Sequence, residues 1–396
     1  MKIVKAFFIF SLVIIVTALC LNCAGEKEEA EAPQPPIKIG AVFSVTGSAA
    51  KLGGPEKNTA LMIQDQINAA GGVNGRNIEV IVEDDQGVEE NTVNALQKLI
   101  HLDNVVAIIG PTRSGNGIAA AAICDEAKIP LVSCAAAWVQ LFPENDTSKP
   151  MYRYVFKTPQ NDSHCTRSIF MDCQNKGYTN VAIITGTTGF GAAGRAELKN
   201  RASNYGITII ADETYPPDAT DLTPILTRIK ARNPQALINW SIVPAQGLIA
   251  GQVKQLGMDL QLYQSHGFGN KGYITEAAEG ILFPAGRLLA VGDIDETNVQ
   301  YKVLTQFKND YESKYGEEVS TFAGHAYDAL YMIINAIKAK GATREGIRDG
   351  LEETKNFIGT AGVFNISPTD HCGLTDDAFA MLTVKDGDFR IADAVK

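Results

Sequence analysis

Three short loops carry the residue types that could hold or transform a small molecule. The first is Gly186-Thr187-Thr188-Gly189-Phe190-Gly191-Ala192-Ala193-Gly194, which contains a GxGxxG from Gly189 to Gly194. A strand-like run precedes it, a helical run follows, and Asp212 lies about where a dinucleotide fingerprint places its acidic residue. Glycines at such a place allow a tight turn and close approach of a pyrophosphate to the backbone. Here the strand-like run ends at Thr185, several residues before Gly189, so the turn falls in the wrong place for that task. We read the loop as the glycine-rich lining of a cleft. The second loop, Gly110 to Gly117, follows an apolar run and opens a helix, with Ser114 at the cap position. Free N–H groups at a helix start suit an anion, so a carboxylate could sit there without a cationic side chain. Ser114 acting as a cap alone is the plainer alternative. In the third, Ser133-Cys134-Ala135-Ala136-Ala137-Trp138, small side chains let a ligand approach the backbone. Trp138 is either a wall for ligand stacking or a packing anchor.

No other pattern supports catalysis. The five histidines form no ligand-spaced cluster, and no GxSxG, HExxH or Walker A motif occurs. No acidic pair can be assigned to acid–base work. The expectation is a binding protein without metal or cofactor, not an enzyme.

The elements that must position these loops alternate. Ile37–Phe43, Asn77–Val82, Val105–Ile109 and Ile129–Ser133 read as strands; between them Asn58–Ala69, Asn91–Leu102 and Gly115–Ala127 have helical spacing. The rhythm repeats with helices at Asp162–Lys176, Ala192–Tyr205, a segment capped by Asp221, and Ala245–Leu256. Its strands fall at Val181–Thr185, Ile207–Ala211, Ala236–Asn239 and Gln261–Tyr263. Alternation of this kind gives parallel sheets in an α/β fold, here two doubly wound modules that switch near Lys157-Thr158-Pro159. Two long helices, Asn298–Lys314 and Thr321–Ala339, then return the chain to the first module, and three short strands close it. Two lobes joined by several crossings make a hinged cleft. Ligands of open α/β sheets lie beyond the strand C-termini.

Composition narrows the class. A formal charge of −10 argues against nucleic acid, whose phosphates want a basic face. Lys2 and Lys5 precede an apolar run, Phe7 to Leu21, that is shorter than the roughly 20 residues of an ordinary membrane span. It reads as a signal peptide over residues 1–22. Cys23 follows and is the expected lipidation site, with Cys20 a weaker competitor. The acidic, proline-bearing stretch through Pro36 reads as a solvated tether. An exported protein meets no nicotinamide pool, which weakens the dinucleotide reading further. Cys124, Cys134, Cys165, Cys173 and Cys372 remain, an odd number with no CxxC, and read as core or free thiols.

Several of these segments resemble the periplasmic branched-chain amino-acid-binding proteins. They are Ile37 to Gly47, Ile67 to Gly75, Glu83-Asp84-Asp85-Gln86, Ile108-Ile109-Gly110 with Ser114, and Ile129-Pro130-Leu131-Val132-Ser133. The resemblance extends over nearly all of the chain beyond the tether. It implies a type I periplasmic-binding fold, two doubly wound parallel-sheet lobes joined by a multi-strand hinge, serving an ABC permease in the membrane. Lobe one would comprise 37–157 with 285–362, and lobe two 158–284 with 363–396. The protein is expected outside the cytoplasm, monomeric, and held to the membrane by lipid on Cys23.

The resemblance also implies a site. A ligand carboxylate would be held by Ser114, by a backbone group at Ala135, and by a family threonine that is Ala137 here. Phe190 and Leu52 stand where the family has tyrosines, Tyr327 keeps a third tyrosine, and His266 stands near the family's acidic partner for the ligand ammonium. Without an anion there, a buried ammonium is costly. Leu52, Trp138 and Phe190 would form an apolar wall. The implied ligand is a branched-chain amino acid or related small carboxylate; the alternatives are an aromatic or other apolar carboxylate, and a ligand-sensing partner of a signalling receptor.

Overall fold

A computed structural model describes residues 34–392. The signal peptide, Cys23 and nearly all of the tether lie outside the described residues. The chain opens with β1 (Ile37–Phe43), α1 (Ala50–Ala69), β2 (Ile78–Asp84), α2 (Glu89–His101), β3 (Ala107–Ile109), α3 (Ser114–Glu126), β4 (Leu131–Ser133) and β5 (Val155–Lys157). The five strands form one parallel sheet in the order β2-β1-β3-β4-β5. The central strands are buried almost throughout because helices cover both faces.

The second module follows: α4 (Asp162–Asn175), β6 (Asn180–Gly186), α5 (Gly189–Arg201), β7 (Thr208–Tyr215), α6 (Thr223–Lys230), β8 (Ala236–Trp240), α7 (Gln246–Gln255), β9 (Gln261–Gln264) and β10 (Leu282–Ala285). The chain ends with α8 (Tyr301–Tyr315), α9 (Thr321–Lys340), α10 (Arg344–Glu352), the hairpin β11 (Phe357–Ile358) and β12 (Val363–Phe364), then β13 (Ala380–Lys385) and β14 (Asp388–Ile391). The second sheet runs β14-β13-β10-β9-β8-β6-β7; its last two strands add antiparallel to an otherwise parallel sheet. This is the type I periplasmic-binding fold.

The late helices return to the first lobe. Leu330, Ile333, Ile334 and Ile337 of α9 enter the same core as Ile37, Ile39 and Phe43. Each such side chain contributes roughly 1.5–3 kcal/mol on burial, enough to fix the helix there although it follows lobe two in sequence. The final crossing comes later than expected. Phe364, Ile366, Cys372, Leu374 and Ala378 still pack in the lobe-one core, so the chain leaves for lobe two only past Ala378. The crossings are tied to one another, with Arg287 of the second donating to the Asp377 carbonyl beside the last. Gln160 donates to the carbonyls of Ala361 and Ala378, and Thr158 donates to the carbonyl of His325. The Cys124, Cys134, Cys165, Cys173 and Cys372 thiols are all buried and free. Among the described residues, no helix is long and apolar enough to cross a membrane.

Candidate functional site

Each sheet has its topological switch beside its first strand: β1 lies between β2 and β3, and β6 between β7 and β8. Loops that leave the strand ends there diverge, and a crevice opens between them. The two crevices face each other across a closed cleft. A Cβ on Gly189 of lobe two would lie 2.8 Å from the Gly115 nitrogen of lobe one. The Asn270 side-chain amide donates to the Lys51 carbonyl across the same gap at 3.0 Å. Between the lobes sits a narrow cavity of about 20 Å³. Lobe one lines it with Thr112, Ser114, Cys134 and Ala136 from the loops after β3 and β4. Lobe two supplies Phe190, Ile242, His266 and Gly267, from the loops after β6, β8 and β9. The start of α9 adds Thr321, Phe322 and His325, and Pro159 of the first crossing completes the lining.

The lobe-one side is largely tied up in its own hydrogen bonds. Ser114 is the first residue of α3 rather than its cap; Arg113 holds that position without a side-chain cap bond. The Ser114 hydroxyl oxygen accepts the Ala137 N–H at 3.2 Å, which pins the β4 loop to the helix. Thr112 accepts the Ser44 N–H at 3.0 Å and donates to the Glu56 carboxyl. Burial pushes the Glu56 carboxyl well above its ordinary range against that hydrogen bond, and nearby Asp85 adds to the rise. Asp85 itself accepts from Ser44, Thr92, Asn116 and the Gly87 N–H.

The lobe-two side is aromatic. His266 sits in a short turn whose preceding Ser265 accepts the Gly267 N–H. Its ring lies edge-on to Phe190 at 5.1 Å and to Trp240 at 5.6 Å, with Phe379 at 5.5 Å. Neither of its ring nitrogens has a hydrogen-bond partner, and the nearest carboxylate oxygen, on Asp162, is 3.9 Å from Nε2. Burial, with the positive Lys157 behind it, drives the His266 pKa well below its ordinary value, so the ring is neutral. His325 is also buried, and burial and Lys157 push its pKa down to about 3; its Nδ1 lacks a partner as well. Burial pushes Asp162 up to about 7, opposed by Lys157 and by the Trp138 N–H that its Oδ2 accepts.

Of the residues expected from sequence, Ser114, Phe190 and His266 meet in the cavity. The other five do not line it. Leu52 is buried in the apolar cluster that backs Phe190. The Ala135 N–H donates to Ser133 and the Ala137 N–H to Ser114, so both backbone groups are already engaged. Trp138 packs edge-on against Phe142 at 5.3 Å, which makes it an anchor and not a stacking wall. Tyr327 packs, tilted, between Phe307 at 4.7 Å and Tyr331 at 4.5 Å. Thr321, Phe322 and His325 on the same helix reach the cavity in its place. Their spacing puts them on one helix face, a legible signal; Thr112 and Ile242 carry none.

The glycines of the GxGxxG serve packing. A Cβ on Gly191 would lie 1.8 Å from the Gly186 carbonyl oxygen, and one on Gly194 would lie 2.2 Å from the Trp240 ring. Asp212 is occupied by a two-pronged Arg195 contact and by Lys199, which leaves no carboxylate for a ribose. Among the described residues, no group of three or more side chains could hold a metal.

Comparison with known proteins agrees with this architecture. A family described as periplasmic binding protein matches residues 36–388. The leucine-, isoleucine-, valine-, threonine- and alanine-binding protein of Pseudomonas aeruginosa is 25% identical over 310 residues, covering 77% of this chain and 79% of its own length. The branched-chain amino acid transporter substrate binding protein LivJ of Streptococcus pneumoniae, solved in complex with isoleucine, superposes with a TM-score of 0.76 at 26% identity, over 90% of this chain and 99% of that one. A solute binding protein of an ABC transporter from Rhodopseudomonas palustris BisB5, in complex with 3,4-dihydroxy benzoic acid, shares the fold with a TM-score of 0.77 at 21% identity, over 92% of this chain and 99% of that one. The chain therefore belongs to the periplasmic binding protein family, as an extracytoplasmic solute-binding protein of the branched-chain amino acid type and not an enzyme.

Proposed function

We propose that this protein is the solute-binding component of an ABC importer and traps a small carboxylate between its lobes for delivery to a membrane permease. The single observation that carries the reading is the narrow cavity between the lobes, lined from both of them at both topological switch points. The ligand carboxylate meets Ser114 and the free N–H groups of the first turn of α3, whose dipole favours an anion. Ser114 accepts from Ala137 and keeps its own proton to donate. Phe190 and His266 form the opposing wall. The protein acts as a monomer, held to the membrane by lipid on Cys23.

The ligand itself is a branched-chain amino acid or an apolar, aromatic acid. The lining favours the second. It contains no Asp, Glu, Lys or Arg, so an amino-acid ammonium would be buried without a counter-ion. Phe190, Ile242 and Phe322 present apolar surface instead. Mass spectrometry of ligand released from purified full-length protein, with a thermal-shift screen of amino acids and aromatic acids, tests the reading. A small carboxylate should be released and should raise the melting temperature. Stabilisation by leucine but by no aromatic acid would reverse the choice of ligand, and the absence of any response to carboxylates would overturn the carboxylate site.

A further inference from the structure

The cavity holds two imidazoles from opposite sides of the cleft. His266 comes from the loop after β9 in lobe two, and His325 from the start of α9, which is packed on lobe one. Both line the cavity and both are more than nine-tenths buried, at 8% and 7% exposure. Both nitrogens of His266 and Nδ1 of His325 lack any hydrogen-bond partner. A buried polar atom left unpaired costs about 1–3 kcal/mol, so three of them in one cavity are a liability unless something else satisfies them. His371, outside the cavity, is held on one side: it is stacked on Phe156 with Nδ1 at 2.8 Å from the Val155 carbonyl, while its Nε2 is unpartnered and lies 3.8 Å from Glu352.

Neutral imidazole fixes the chemistry of what can pair with it. Each ring carries one N–H and one lone pair, so the pair of rings needs a group that both donates and accepts. An ammonium only donates and would bring an uncompensated charge, while a hydrocarbon does neither. A hydroxyl does both and is uncharged. We infer that His266 and His325 form a specificity pair, one ring from each side of the cleft, that selects carboxylates bearing a hydroxyl group and rejects those bearing an ammonium or bare hydrocarbon in its place. The inference rests on the carboxylate-receptor reading above and adds the identity of the second functional group. Because one ring is carried on each side, the hydroxyl is fully satisfied only when the lobes are closed, which couples its recognition to closure.

Titration calorimetry with benzoate, 4-hydroxybenzoate, 3,4-dihydroxybenzoate and leucine tests it on the full-length protein, on His266→Phe and on His325→Leu. A hydroxylated acid should bind wild type at least about tenfold more tightly than benzoate, because sites that hydrogen-bond a substrate hydroxyl discriminate strongly against analogues that lack it. That ratio should fall toward one in each variant. The wild-type ratio decides the matter alone if a variant does not fold. Equal binding of benzoate and the hydroxylated acids, a ratio unchanged in both variants, or tightest binding by leucine would overturn the inference and leave the receptor reading standing. Loss of the ratio in one variant only would overturn the pair in favour of a single determinant. Binding of none of the four probes would overturn the inference together with the carboxylate reading.

Discussion

At the hinge, the buried ammonium of Lys157 donates to the carbonyls of Pro159 and Gln160 and to the side chain of Asn161, at 2.6, 3.2 and 2.8 Å. Nearby, both oxygens of buried Asp328 are filled by Thr360 and Ala361. In the cavity, equally buried His266 and His325 have nitrogens that bond to nothing in the protein. Both regions bury polar groups at cost, but only the hinge repays that cost within the chain. Lys157 and Asp328 are satisfied by the hinge itself, whereas the cavity imidazoles are left open to a solute.

The largest expected effect falls on the satisfied side. Lys157→Met removes the ammonium and strands three oxygen acceptors in a dry hinge. Breaking a buried charged network of this kind costs about 3–5 kcal/mol. The urea midpoint should fall accordingly, with little change in slope. A loss below about 1 kcal/mol, the level of a single neutral hydrogen bond, would erase the contrast.

Asp162 stands between the two regions. Its Oδ2 takes the Trp138 N–H from lobe one at 3.2 Å, while Oδ1 has no hydrogen-bond partner and lies 3.9 Å from His266. Burial pushes its carboxyl up from 3.8 to about 7, against Lys157 and the Trp138 N–H and with some help from Glu197. The folded protein thus holds this proton more tightly than the unfolded chain does. Its contribution to stability is fully present below about pH 4 and is lost as pH rises through about 7. Asp162→Asn keeps an oxygen for Trp138 and carries no charge. Between pH 5 and pH 8 wild type should lose about 3 kcal/mol more stability than Asp162→Asn, read from denaturation at each pH. Parallel curves for the two proteins would show that Asp162 is ionised in the fold across that range and belongs with the satisfied hinge groups.

The two-lobed fold was legible in the sequence because its signals are local. Strand runs such as Ile37–Phe43 and helices such as Thr321–Lys340 are set by apolar periodicity, and the order of elements dictates parallel sheets. Helix α10 was missed although Thr343 caps it through the Gly346 N–H and Ile347 and Leu351 mark its buried face. The site was only partly legible. Ser114 and Phe190 follow strands at the switch points, where topology alone directs them into the cleft. Trp138 and Tyr327 are aromatic residues close to the site in sequence, yet neighbouring rings claim both. Whether an aromatic ring faces a ligand or a neighbour depends on tertiary packing, which spacing does not encode. The last crossing falls later than spacing suggests for the same reason, since the few apolar residues between Phe364 and Ala378 could pack in either lobe.

The smallest effect on stability is also the sharpest test of the contrast. His371→Phe keeps the ring that stacks on Phe156 at 4.3 Å but leaves the Val155 carbonyl without the imidazole at 2.8 Å, and it removes the nitrogen 3.8 Å from Glu352. It should destabilise by about 1 kcal/mol, the net worth of one hydrogen bond. His266→Phe removes two nitrogens that bond to nothing and places a hydrocarbon ring among Phe190, Trp240 and Phe379. Exchanging an unsatisfied polar group for an apolar one of similar shape is neutral or stabilising, so the ligand-free variant should unfold at or above the wild-type midpoint. The same chemical substitution would then move stability in opposite directions at two buried sites, while only the cavity variant changes ligand preference. Destabilisation of ligand-free His266→Phe by more than His371→Phe would mean that the cavity imidazole already supports the fold, and the distinction between open and satisfied polar groups would fail.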